Sequence, residues 1–284
     1  MKRILQKIYH CSKVYGFTAA GVVAIVGIIV YERSRNNPVF SSWTTSHNPS
    51  VKWDYNWDRR EPESTIKPPK VSATDDEKLQ YKEKLAKVPT ATRHIILIRH
   101  GQYFDNENLD INRKLTDLGR EQAYLTGARL VDMNYPWSKL ISSTMTRAKE
   151  TADIIHKQLP DLPREECDLL REGAPIPPEP PSGNWRPEKQ QFYKDGARIE
   201  AAFRKYFHRA EPDQTNDSYE IVVCHANVIR YFVCRALQFP PEGWLRISLN
   251  HASITWLYIR PNGRVGLRTL GEAGFMPVDK VSVL

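Results

Sequence analysis

Apolar and polar positions alternate in blocks along the chain, and these blocks predict strands and helices. The run HIILIR (94–99) is almost continuously apolar, which is typical of a buried strand, and EIVVC (220–224) has the same pattern. Further short strands are predicted at 139–142, near Leu169, at 253–259 and at 264–270. Apolar residues spaced three or four apart predict helices over 116–131, 144–159, 188–210 and 226–237. Strands that alternate with helices indicate an α/β fold, with a largely parallel sheet and helices on both faces.

The N-terminal pattern is different, because residues 14–31 carry no charged side chain and centre on GVVAIVGIIV. As a helix this segment would extend about 27 Å, close to the hydrocarbon thickness of a bilayer. Secretory signal peptides have small residues at their cleavage site, whereas Tyr31-Glu32-Arg33 stands at the end of this segment. We therefore favour a transmembrane anchor preceding the fold over a signal peptide or a buried core helix. The basic flank also suits a mitochondrial address.

Between the anchor and the first strand, the chain is polar and rich in proline, serine and charge. This stretch is predicted to be a tether, and it contains the sequence WDYNWD (53–58). Trp53 and Trp57 are large apolar groups in polar surroundings, as in peptides that bind a partner. Docking onto the chain's own domain is the alternative. The predicted parts are a basic N-terminus (1–13), the anchor (14–31), the tether (32–92), the folded domain (93–272) and a C-terminal tail (273–284).

Composition narrows the class of protein. Of 284 residues, 40% are hydrophobic and 26% charged, which excludes a wholly disordered chain. The net charge is +8, but residues 1–35 hold six basic side chains and one acid. Since most of the excess charge belongs to the N-terminus, no nucleic-acid partner is predicted. Four scattered cysteines lack metal-ligand spacing and predict neither a disulfide framework nor a zinc site.

Residues suited to phosphate chemistry follow the predicted strands. Arg99 and His100 follow the first strand, Arg147 the second, Glu172 the third and His225 the fourth. The ends of parallel strands meet at one edge of a sheet, so these side chains are expected to converge. Two guanidinium groups hold phosphate well, a neutral imidazole beside them is a nucleophile, and a carboxylic acid protonates a leaving oxygen. A metal site at Glu172 and His225 is the alternative, but no ligand motif such as HExxH supports it.

Five motifs resemble the histidine phosphatase, or phosphoglycerate mutase, superfamily. In chain order they are LIRHGQ (97–102), LTDLGREQA (115–123), SSTMTRAKETA (142–152), LLREG (169–173) and VVCHANVIR (222–230). By this resemblance His100 accepts the phosphate, Arg99 and Arg147 bind it, Glu172 donates a proton and His225 stabilises the phosphoryl group in transfer. The resemblance implies a phosphoglycerate mutase-like fold that uses no metal and no organic cofactor.

The apolar N-terminus, WDYNWD and the sequence RHGQY together resemble the mitochondrial serine/threonine protein phosphatases of this superfamily. That resemblance implies phosphoprotein substrates, a single-pass mitochondrial membrane protein (outer membrane favoured, inner possible) and a function in mitochondrial quality control or dynamics. It also implies self-association into dimers and higher oligomers through Trp53, Asp54, Asn56, Trp57 and Asp58. Tyr103 and the short interval between Glu172 and His225 favour a phosphatase without mutase activity. A small-molecule phosphatase or mutase, and an anchored interaction scaffold, are the alternatives.

Overall fold

The computed structural model describes residues 51–61, 64, 66–183, 185 and 187–283. The predicted N-terminus (1–13) and membrane anchor (14–31) lie outside these residues. No helix within the described ranges combines the length and the apolar character that a bilayer crossing requires. The anchor therefore stays a prediction.

Six strands in the described part of the chain form one sheet, in the order β3-β2-β4-β1-β5-β6. They are β1 (Arg93–Arg99), β2 (Trp137–Ser143), β3 (Arg164–Cys167), β4 (Ser218–Cys224), β5 (Ile254–Ile259) and β6 (Val265–Glu272). Strands β1 to β4 pair in parallel, whereas β5 is antiparallel to both β1 and β6. Three of the five strand pairings are thus parallel, as predicted, and the antiparallel strand β5 makes the sheet mixed. The turn between β5 and β6 is too short for a crossover, so these two strands can pair only as a hairpin.

Helices cover both faces of the sheet, as predicted. They are α2 (Asp117–Met133), α3 (Thr146–His156), α4 (Lys189–Tyr206) and α5 (Ala226–Ala236), preceded in the chain by α1 (Asp75–Ala86). Alternate side chains of β1 belong to two hydrophobic cores, one on each face of the sheet. Ile95 and Leu97 belong to the core that contains residues of α4 and α5, and Ile96 and Ile98 to the core that contains residues of α2 and α3.

Side-chain caps start two of the five helices in the described part of the chain, and two elements differ from the sequence prediction. Thr116 caps α2 as expected, since its side chain accepts a hydrogen bond from Gly119 N at 3.0 Å. Helix α1 lies within the predicted tether and buries no residue, but a capping box of Thr74 and Glu77 starts it. The third strand covers 164–167 rather than Leu169, which lies in a 3-10 turn. This strand is at the edge of the sheet and three of its four residues are charged, so it lacks the apolar pattern of a strand.

The WDYNWD segment packs on the chain's own domain in this structure. The Trp57 indole N–H donates to Gly263 O at 2.8 Å, and its ring lies 5.8 Å from that of Phe203. Asp58 forms a buried ion pair with Arg209 at 2.8 Å. Gly263 has a φ of +81°, and a Cβ there would lie 2.1 Å from the carbonyl oxygen of Tyr55. Glycine is therefore required at the turn that receives the segment.

Candidate active site

The order of the strands brings the predicted site residues together. Strands β2, β4 and β1 are neighbours, so the residues after their carboxyl ends share one edge of the sheet. One ring nitrogen of His100, one ring nitrogen of His225 and one carboxylate oxygen of Glu172 lie within 4.8 Å of one another. Arg147, in the first turn of α3, reaches the same point.

The hydrogen bonds of His100 fix its tautomer. Arg147 Nε lies 3.1 Å from His100 Nε2, and arginine can only donate, so Nε2 accepts. The proton is then on Nδ1, which donates to Gly101 O at 2.8 Å. Burial, and next the charge of Arg147, hold the pKa of His100 well below its usual range. His100 is a neutral imidazole, and its Nε2 lone pair becomes available as a nucleophile when the hydrogen bond from Arg147 Nε is released.

Two buried guanidinium groups leave N–H donors unused. Arg99 Nε and Arg147 Nη1 have no hydrogen-bond partner among the described residues, although Asp110 lies 3.6 Å from Arg147 Nη1. Burial lowers the pKa of Arg99 to about 10, so it remains charged at neutral pH. Buried donors without partners are rare in folded proteins, because leaving them unsatisfied is costly. A tetrahedral dianion would satisfy both.

Glu172 lies on a loop that α4 holds in place. Arg198 donates to the carbonyl oxygens of Leu169 and Glu172, each at 3.0 Å, and pairs with Asp195 at 3.0 Å. Asp195 in turn accepts a hydrogen bond from Ala174 N at 3.0 Å. Burial raises the pKa of Glu172, although the charge of Arg147 opposes this shift. A larger share of Glu172 is thus protonated near neutral pH, as a proton donor requires.

His225 is fully buried at the N-terminus of α5. Its Nε2 lies 2.8 Å from Ser143 Oγ, whereas its Nδ1 has no partner among the described residues. Burial, and then the charge of Arg147, keep the pKa of His225 well below its usual range. A neutral ring with one unpartnered nitrogen is suited to hydrogen bonding with a phosphoryl group.

The charge of the site argues against the metal alternative. His100, Glu172 and His225 have suitable ligand atoms, but the charges of Arg99 and Arg147 act on all three. Two buried cations disfavour a third cation and favour an anion. The geometry therefore fits phosphate better than a divalent metal.

Gly101 directly follows His100 at the carboxyl end of β1. In the structure, a Cβ at Gly101 would lie 2.4 Å from Gly119 O, at the start of α2. Gly101 is therefore needed for the close contact between the end of β1 and this helix.

Several residues around the site were not identified from the sequence. His251 contacts Arg99 Nη2 at 3.0 Å, and Arg198 holds the Glu172 loop. The charge of Arg230 partly opposes the rise in the pKa of Glu172 that burial causes. The Tyr103 ring packs edge-on against His100, with centroids 5.0 Å apart, and Arg147 lies over it. Tyr103, already noted from the sequence, directly follows the motif LIRHGQ, and Arg230 ends the motif VVCHANVIR. His251 and Arg198 act through tertiary contacts that leave no local signal.

Comparison with known proteins shows the family to which the chain belongs. The family model of the histidine phosphatase superfamily (branch 1) matches residues 95–174 and 178–270. The chain is 53% identical to the mitochondrial serine/threonine-protein phosphatase Pgam5 of Drosophila pseudoobscura pseudoobscura, over 94% of this chain and 95% of that protein. It is 59% identical to the mitochondrial serine/threonine-protein phosphatase PGAM5 of Mus musculus, over 85% of this chain and 84% of that protein.

Among solved structures, the chain is similar to the crystal structure of phosphoglycerate mutase from Plasmodium falciparum. The two are 36% identical, with a TM-score of 0.47, over 66% of this chain and 96% of that one. The family model covers more than half of the present chain, and the resemblance drawn from the five motifs is confirmed. The chain therefore belongs to the histidine phosphatase superfamily (branch 1).

Proposed function

We propose that the protein is a mitochondrial serine/threonine protein phosphatase that transfers phosphate to His100 before releasing it to water. The relatives named above carry that activity in their names and match most of the chain. The observation that carries the chemistry is the convergence of His100, Glu172 and His225 beside two buried, unsatisfied guanidinium donors.

The first step forms a phosphohistidine. Arg99 Nε and Arg147 Nη1 bind the phosphoryl oxygens, and Arg147 Nε releases His100 Nε2. His100 Nε2 then attacks phosphorus as the bond to the serine or threonine oxygen breaks. Protonated Glu172 gives its proton to that leaving oxygen, so the substrate departs as a neutral alcohol. His225 Nδ1 faces the phosphoryl group during transfer. The N–H donors that the protein leaves unused stabilise the negative charge that develops on the phosphoryl oxygens.

The second step returns the enzyme to its starting state. Glu172, now a carboxylate, takes a proton from water, and the water oxygen attacks phosphorus while the bond to His100 Nε2 breaks. Inorganic phosphate leaves, Glu172 is protonated again, and His100 is again neutral. No metal or organic cofactor enters this scheme.

The geometry of the site bears on the alternative functions. An interaction scaffold has no need of a neutral buried imidazole, a raised carboxyl pKa and unsatisfied arginine donors in one place. The Tyr103 ring, packed against His100 and beneath Arg147, narrows the space where a mutase would hold a small phosphorylated acid. Both features favour a phosphatase.

The proposed location is a mitochondrial membrane, with the outer membrane favoured, and residues 14–31 are proposed as the single membrane span. One side of the membrane would then hold all that follows the span, which is the tether, the domain at 93–272 and the tail from 273. Strong alkaline carbonate releases peripheral proteins but not spanning ones. Release of the full-length chain into the soluble fraction by carbonate would contradict this topology.

We further propose that WDYNWD drives assembly into dimers and higher oligomers. Its contacts with Gly263 and Arg209 join segments far apart in the sequence, so a neighbouring chain can supply the same segment. Anchoring in one membrane raises the effective concentration of neighbouring copies. The double substitution Trp53→Ala, Trp57→Ala should reduce the sedimenting mass and the phosphatase rate. An unchanged mass and rate would show that the segment is only a linker.

The function is tested with the detergent-solubilised full chain. Phosphoserine and phosphothreonine peptides should be hydrolysed faster than phosphoglycerates. Brief incubation with a labelled phosphopeptide should leave acid-labile phosphate on the protein, and His100→Ala should lose both this label and turnover. Label retained by His100→Ala would refute the proposed nucleophile, and a preference for phosphoglycerates would refute the proposed substrate class.

A further inference from the structure

The segment 280–283 contacts Arg99, the proposed phosphate-binding arginine, through the backbone carbonyl of Val283. Arg99 Nη1 donates to Leu249 O at 2.6 Å and to Val283 O at 2.8 Å. The backbone N–H of His251 donates to Ser282 O at 2.8 Å, which fixes the segment beside Arg99. None of these partners belongs to the five sequence motifs.

His251 links the other side of the guanidinium to the same segment. Arg99 Nη2 lies 3.0 Å from His251 Nε2, which must accept because arginine only donates. Burial, and then the charge of Arg99, lower the pKa of His251 to about 3, so the ring is neutral and Nδ1 carries its proton. Nδ1 therefore donates to Ser282 Oγ at 2.9 Å.

Gln122 of α2 holds Ser282 from a second direction. Gln122 Nε2 donates to Ser282 Oγ at 2.9 Å and to Lys280 O at 2.7 Å. Its Oε1 accepts from Gln102 N at 2.9 Å, two residues after His100. The segment is thus tied both to Arg99 and to the loop that carries the nucleophile.

These contacts select which N–H bonds of Arg99 face the substrate. A guanidinium has five N–H bonds, and here Nη1 uses two and Nη2 uses one on the protein. The bonds that remain are the one on Nε, which is buried and unpartnered, and one on Nη2. Two adjacent N–H groups match two oxygens of a phosphate.

We propose that His251, Ser282 and the backbone carbonyl of Val283 are positioning groups, which orient Arg99 so that its Nε edge binds the phosphoryl group. This inference rests on the proposed role of Arg99 in the phosphatase reaction. It predicts that phosphate affinity depends on a segment that touches no substrate.

The test measures phosphate binding directly, with the detergent-solubilised full chain. Inorganic phosphate is titrated as a competitive inhibitor of the hydrolysis of p-nitrophenyl phosphate, a substrate with no peptide part. His251→Ala and Ser282→Ala should each raise the inhibition constant about tenfold, the effect of one charge-assisted hydrogen bond. His251→Gln, whose amide can both accept from Arg99 and donate to Ser282, should recover most of the loss. Val281→Ala, in the same segment, is the matched control and should leave the constant unchanged.

A second set of variants separates positioning from general stability. In an Arg99→Ala background the His251→Ala and Ser282→Ala substitutions should have no further effect on phosphate inhibition, because their effect passes through Arg99. Equal losses with and without Arg99, or no loss in the parent, would overturn the inference. If Arg99→Ala alone leaves phosphate inhibition unchanged, the proposed role of Arg99 fails instead. Thermal melts of each variant identify any that lose the fold, in which case the milder Ser282→Ala decides.

Discussion

Replacing Asp58 by alanine removes one half of an ion pair that water barely reaches. The side chains of Asp58 and Arg209 are 1% and 5% exposed. Asp58 accepts hydrogen bonds from Arg209 N at 2.8 Å, Nε at 3.0 Å and Nη2 at 2.8 Å. This pair fastens the WDYNWD segment to the domain, so its removal tests the docking directly.

The expected loss in the free energy of unfolding follows from the burial of Arg209, the partner that remains. Removing one member of a buried pair costs about 3–5 kcal/mol, because an uncompensated charge stays behind. That is a large share of the free energy of unfolding of a typical domain, which is roughly 5–15 kcal/mol. We expect Asp58→Ala to lower the free energy of unfolding by about this amount in urea titrations followed by tryptophan fluorescence. Trypsin should also cleave sooner after Arg59 and Arg60, because the segment is released more often.

Asp54 is the matched control, since it is the first aspartate of the same motif. Its side chain is 48% exposed and lies 3.6 Å from Arg59, and such exposed pairs contribute less than about 1 kcal/mol. Asp54→Ala should therefore change stability little. Similar losses for both aspartates, or a stable and protease-resistant Asp58→Ala protein, would refute the docking argument.

The difference in stability between the parent and Asp58→Ala depends on pH. Burial raises the pKa of Asp58, but the hydrogen bonds and charge of Arg209 lower it more, so the pKa lies below the ordinary value of 3.8. A lowered pKa in the folded state contributes stability above pH 3.8, and this is lost as the pH falls through the folded value. The gap between the parent and Asp58→Ala should hold at neutral pH and narrow only below pH 3.8.

Further predictions concern the Glu172 loop and the turn that receives Trp57. Arg198→Ala should lower kcat about tenfold by freeing the Glu172 loop, whereas the exposed Arg204→Ala should not; equal rates would contradict this. In rapid-quench experiments the phosphoenzyme burst should fall as the pH rises through the raised pKa of Glu172, because the proton donor is then lost. Glu172→Gln should not show this fall. The same pH profile in Glu172→Gln and the parent would exclude Glu172 as the donor. Gly263→Ala should cost about 1–3 kcal/mol in urea unfolding, because of its positive φ and the Tyr55 carbonyl, and Gly274→Ala, with open space at its Cβ, should cost little.

Sequence patterns predicted the parts of the fold that depend on local signals. The buried strand ending at Arg99 and the Thr116 cap are encoded by apolar runs and by a side chain next to a helix start. The convergence of His100, Arg147 and His225 also followed from the sequence, because adjacent parallel strands end at one edge. Where the pattern was weak, as in the polar edge strand 164–167, the predicted position was wrong.

The remaining features depend on contacts between distant parts of the chain. Nothing local in Arg198 indicates that it holds the carbonyl of Glu172, or in Ser282 that it bonds His251. The docking of Trp57 needs a turn at Gly263, two hundred positions along the sequence. Amphipathic periodicity reports which face of an element is buried, but not which residue of another element covers it.

The central place of β1 in the sheet also determines when the enzyme can assemble. Of the six described strands β1 is synthesised first, yet Arg93 pairs with Ser218 on one side and with Ile259 on the other. Until residue 259 has left the ribosome, this apolar strand cannot have both of its partners. Such long-range pairing makes folding slow and leaves nascent strands for chaperones to protect. Because His100 directly follows β1, a chain still being translated has neither a closed sheet nor an assembled nucleophile site, and phosphate transfer must wait until almost the whole domain has been made.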